Sequence, residues 1–141
     1  MPRKGVLAVV RRNRVTAGQG EAGLSGRAIM TGLIITLALA LAIAVVVSIL
    51  IYFTDMSEGS AASYIYYLGM MCVAVGGAAG ARGAGRLGWL HGGLVGLLYA
   101  VLSLALTFII LPGPVVFGAI LGRIGTVTLV GALGGVIGVN V

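Results

Sequence analysis

The sequence predicts an all-α integral membrane bundle of four transmembrane helices, and three observations carry that prediction. Hydrophobic residues make up 60% of the 141-residue chain and charged residues only 9%, against about a quarter charged in soluble domains. The apolar residues gather into four runs, each long enough to cross a hydrocarbon layer about 30 Å thick. Glycine, 25 residues in all, recurs in those runs at four-residue spacing, as in helices packed closely in lipid. A soluble core able to bury four such runs lies beyond a chain of this length.

Residues 1–27 read as a basic cytoplasmic tail without fixed structure. Arg3, Lys4, Arg11, Arg12, Arg14 and Arg27 are six of the nine Lys and Arg residues, and all precede the first apolar run. The net charge of +6 is therefore concentrated on a flank. Such a flank suits anionic lipid headgroups, at about 1 kcal/mol per charge, rather than nucleic acid. A short apolar patch, Val6 to Val10, admits a second reading as an interfacial helix lying on the membrane.

The transmembrane domain occupies residues 28–141. Its first span runs from about 28 to 53 and is too long for the apolar core of a cleavable signal, about 7 to 15 residues. Thr54 to Ser60 form a polar turn that holds Asp55 and Glu58, two of the three acids, and no basic residue; this turn belongs outside. A second span follows over about 61–81. Tyr64, Tyr66 and Tyr67 stand near its start, and Tyr52 and Phe53 end the first span, all at headgroup depth. Arg82 to Gly88, basic and acid-free, make a cytoplasmic connection. Trp89 and His91 open the third span, about 89–111, which Pro112, Gly113 and Pro114 terminate. The fourth span covers about 115–141. Gly118, Gly122, Arg123 and Gly125 lie in its first third, so residues 112–125 are open to three readings: re-entrant, interfacial or part of the span. Eight of the nine basic residues fall on the tail side, which predicts both termini in the cytoplasm.

Spacing singles out a set of packing glycines. Gly76 and Gly80, Gly92 and Gly96, Gly131 and Gly135, and Gly134 and Gly138 are each about one turn apart. Each pair leaves a flat strip on which a neighbouring backbone can rest. Residues 76–82 and 134–140 share one glycine pattern, and Gly32-Leu33-Ile34 is matched by Gly93-Leu94-Val95. A duplicated helical hairpin and chance within a narrow alphabet both account for these matches.

The basic tail, long first span, acidic turn, Gly-Gly-rich second span ending at Arg82, the run Gly88-Trp89-Leu90-His91-Gly92 and the terminal Gly134-Gly135-Val136-Ile137-Gly138-Val139-Asn140 form one ordered set. In that order the chain resembles a family of small four-span membrane proteins of Firmicutes and related bacteria, a domain of unknown function. The resemblance covers roughly residues 26–141. It implies a bacterial plasma-membrane location and a setting beside protein-export components, and it carries over no catalytic residue.

Chemistry in a membrane needs a nucleophile with a base, a metal cluster or paired carboxylates. His91 is the sole histidine, and Asp55 and Glu58 are expected across the bilayer from it. Cys72, the one cysteine, permits no intrachain disulfide and reads as a small buried filler. The glycines of residues 76–88 lack the Lys-Ser/Thr ending of a phosphate loop. No catalytic, cofactor or metal residue is predicted, and the chain is read as a non-enzyme. His91 reads as an interfacial histidine and Asn140 as a helix cap. Tyr99, Ser103 and Thr107 form a hydroxyl stripe with two readings: hydrogen bonds between helices, or the lining of a path. Arg123 is expected at the outer interface within reach of Asp55 and Glu58. The function expected is packing with a second copy or with another integral membrane protein; the alternative is a subunit of a small oligomeric transporter or channel.

Overall fold

The structure, a computed structural model, describes residues 24–54, 58–110 and 117–141. The expected tail therefore lies outside the described residues up to position 23, as does Asp55. Four helices follow in order: α1 (Gly26–Phe53), α2 (Glu58–Ala84), α3 (Gly88–Ile110) and α4 (Phe117–Asn140). All four are long and apolar enough to cross a membrane. At 1.5 Å per residue the shortest, α3 with 23 residues, is about 35 Å long and α1 with 28 residues about 42 Å. Each exceeds a hydrocarbon layer of about 30 Å.

The boundaries depart from the expected ones where polar residues stay helical. Glu58 opens α2 rather than belonging to the turn, and Arg82 lies in its last turn rather than in the connection. A helix interior of Gly, Ala and Ser keeps its backbone bonded into the headgroup zone, where charged side chains reach water. The connection between α2 and α3 shrinks to Gly85–Leu87. Gly85 (φ 67°) takes the left-handed conformation that ends many helices, and its N–H donates to the Ala81 carbonyl at 3.1 Å. Leu87 is left-handed too (φ 51°), and its carbonyl accepts the N–H groups of Leu90 and His91, which starts α3. From Phe117 onward the fourth span is one continuous helix, so residues 117–125 form no separate re-entrant piece.

The helices alternate in direction. One end of the bundle, here the near end, holds Gly26, Ala84, Gly88 and Asn140; the far end holds Phe53, Glu58, Ile110 and Phe117. Helix α2 packs on all three others, while α1 and α4 do not touch among the described residues. Large apolar side chains point outward, as Leu41, Phe117 and Leu129 do, and the buried positions hold mostly Gly, Ala and Val. This inverts the soluble pattern. Lipid tails are as apolar as leucine, so helices associate through close backbone packing and not through removal of apolar surface from water.

Candidate functional site

In the near half of the bundle the backbones meet. A Cβ placed on Gly32 would lie 2.8 Å from the Gly76 carbonyl oxygen, and one on Gly80 would lie 3.0 Å from the Ala28 oxygen. Thr36, fully buried beside Gly76, returns its hydroxyl to the Gly32 carbonyl at 2.9 Å. The second hairpin repeats this crossing. Gly92 faces Gly131 and Gly135, and a Cβ on Gly96 would lie 2.6 Å from the Val127 oxygen. A third seam joins the hairpins: Gly134 faces Ala74, Gly138 faces Ala78, and Gly77 would meet the Gly131 oxygen at 2.6 Å. All eight glycines singled out by spacing thus face another helix backbone. Gly88, at the same four-residue spacing before Gly92 and Gly96, joins them, and so do Gly32 and Gly77, which spacing did not single out as packing residues.

His91, in the first turn of α3, is buried against the bundle, with 2% of its surface exposed. Its Nε2 accepts the Ser25 N–H at 3.1 Å, and its Nδ1 lies 3.1 Å from the Leu87 carbonyl oxygen. The two partners assign a neutral ring with the proton on Nδ1. The imidazole thereby ties the start of α1 to the start of α3. Spacing could not show this, because the partner is a backbone N–H 66 residues away.

The far half is looser. A cavity of about 430 Å³ opens between α1, α2 and α3, walled by Leu37 and Leu41, by Ile65 and Cys72, and by Tyr99 and Ser103. The Tyr99 ring packs on the small core formed by Val73, Ala100 and Val127. Ser103 and Thr107 donate to carbonyls of their own helix, Ala100 at 3.0 Å and Ser103 at 2.8 Å. Neither links to another helix among the described residues: a hydroxyl in a helix can satisfy itself on the preceding turn. On α4, Gly118, Gly122 and Gly125 have no atom of another described element within 4 Å of a would-be Cβ. Arg123, between them, is exposed and has no carboxylate partner among the described residues. The Glu58 side chain, like Asp55, lies outside those residues, so the expected pair has no described geometry.

Among the described residues no three His, Cys, Asp or Glu side chains come together, and Cys72 is a buried free thiol. What the arrangement defines is a multi-pass membrane protein whose helices are sealed by glycine at one end and parted at the other. The chain belongs to the family described as "Protein of unknown function (DUF3792)", which matches residues 25–138. No curated protein and no solved structure matches it.

Proposed function

We propose that this chain is a non-enzymatic membrane component that works by packing through the far half of α4 against a second copy or another integral membrane protein. The observation that carries the reading is the surface around Arg123. Gly118, Gly122 and Gly125 offer a flat strip that no described residue covers, while most glycines of the near half are taken up by the chain's own helices. An arginine without a carboxylate in the same stretch, about six residues or 9 Å into the helix, calls for a partner or for lipid phosphate. The orientation we propose puts both termini in the cytoplasm of a bacterial cell, with the basic tail on anionic headgroups. Protein export is the cellular setting we propose, and its support is the family resemblance alone. The transporter alternative draws less support, because the Ser103 and Thr107 hydroxyls are engaged within α3.

The test is cross-linking in native membranes. In a Cys72→Ala background, Gly122→Cys should form an adduct with a second copy or with a co-purifying membrane protein, and Leu129→Cys further along the helix should form less. Equal yields from both positions, or none from Gly122→Cys, would rule the surface out.

A further inference from the structure

We propose that the cavity between α1, α2 and α3 binds one neutral, membrane-soluble lipid whose carbonyl oxygen accepts a hydrogen bond from the Tyr99 hydroxyl. The inference does not rest on the packing surface of α4, which lies on the other side of the bundle from α1.

Place, size and polarity lead to this class of ligand. Every backbone-to-backbone approach at a glycine lies in the near half, between Ala28 and Thr36 on α1, Ala74 and Gly80 on α2, Gly88 and Gly96 on α3, and Val127 and Gly138 on α4. Beyond that level the helices part, and the cavity follows α3 from Tyr99 to Leu106, about 10 Å along the axis. It therefore begins near the bilayer middle and stays within one half of the hydrocarbon layer. A single hydrocarbon chain fits, and the apolar walls of Leu37, Leu41 and Leu102 suit one.

The floor carries the polar signal. Tyr99 is half-buried at mid-membrane depth, its hydroxyl 4.0 Å from where a Gly69 Cβ would be. The absence of a side chain at Gly69 leaves that hydroxyl room to face the cavity. It has no hydrogen-bond partner among the described residues. An unpaired O–H in hydrocarbon, where no water is available, is costly. Ser103 does not accept it: no hydrogen bond joins the two hydroxyls among the described residues, and the Ser103 proton is directed to the Ala100 carbonyl. A ligand oxygen at this depth satisfies it. A phospholipid cannot supply that oxygen without drawing its charged headgroup toward the bilayer middle, whereas a neutral carbonyl lipid, such as a diacylglycerol or a quinone with an alkyl tail, can.

The experiment uses the full chain, delipidated in mild detergent, with three probes: dioctanoylglycerol, a decyl benzoquinone and dioctanoylphosphatidylglycerol. Native mass spectrometry counts bound probe, and a titration followed by thermal shift gives affinity. One equivalent of a neutral probe should bind more tightly than the phospholipid, and whichever of the two binds better identifies the source of the carbonyl. Tyr99→Phe keeps the ring and its packing and should weaken that probe about fivefold, the effect of one neutral hydrogen bond. Ala40→Phe, which fills the cavity from its α1 wall, should abolish binding while the variant still unfolds cooperatively. Failure of both neutral probes to bind, preference for the phospholipid, or equal affinity in wild type and Tyr99→Phe would overturn the proposal.

Discussion

Residues 87 and 91 hold the shortest connection together, and they do so with opposite local economies. Leu87 adopts a left-handed backbone (φ 51°) with its side chain half exposed, a conformation that costs a residue with a Cβ on the order of 1 kcal/mol. Its carbonyl is fixed by three neighbours: the Leu90 N–H, the His91 N–H and the His91 ring. Leu87→Gly should therefore raise stability by a few tenths to 1 kcal/mol, read as a higher midpoint of thermal unfolding in detergent; a lower midpoint would show that the side chain does the holding. His91→Phe should act the other way. It leaves the Ser25 N–H without its acceptor and should lower stability by about 1 to 3 kcal/mol, with His91→Gln recovering part of the loss. The sequence placed His91 at the mouth of a helix but could not reveal its burial. That burial depends on α1 starting at Gly26, two residues before the apolar run, so that Ser25 comes to lie over the ring.

The helices themselves were legible because apolar run length is a strong signal and a bilayer fixes the length required. Their ends were less legible. Polar residues close a helix in water, yet in the headgroup zone Glu58 and Arg82 can remain helical and still be solvated. Four-residue spacing located glycines that face a neighbouring backbone, but spacing alone treats Gly92 and Gly96 like Gly118 and Gly122. Only the crossing of α3 and α4 separates them: Gly96 lies against Val127, and Gly122 lies against no described residue. Substitution makes the difference measurable. Gly96→Leu would drive a side chain into the Val127 carbonyl, a backbone atom that cannot rotate away, and should cost on the order of 1 to 3 kcal/mol or more. Gly122→Ala should instead stabilise the isolated chain by about 0.5 to 1 kcal/mol through helix propensity. If the far half of α4 is a docking face, Gly122→Leu should reduce association without lowering the midpoint of the monomer. Equal losses at positions 96 and 122 would contradict this division of the glycines.

At the scale of the molecule, the near half is closed by three glycine seams and the His91 tie, and the far half surrounds an open cavity. Charge follows the same axis among the described residues: Arg27, Arg82 and Arg86 stand at the near end, and Arg123 stands alone toward the far end. A reporter fused after Val141 should accordingly be active only if it works in the cytoplasm, and one inserted at Glu58 only if it works outside; the reverse pattern would invert the bundle. Arg123 then faces the leaflet that the acidic turn also reaches. A guanidinium a few turns inside an apolar helix either snorkels to lipid phosphate or finds a carboxylate, and in this chain Asp55 and Glu58 are the acids nearest that end in sequence and topology. If they pair, Arg123 ties α4 to the turn between α1 and α2, a link the near-half seams do not make, since α1 and α4 are otherwise out of contact. Removing either partner should then cost about the same, and removing both little more than removing one. Concretely, Asp55→Asn with Glu58→Gln should lower the unfolding midpoint in wild type but scarcely in an Arg123→Gln background, a coupling of at least about 0.5 kcal/mol. Additive losses would assign Arg123 to lipid phosphate instead, and in that case its stabilising effect should depend on anionic lipid in the detergent mixture.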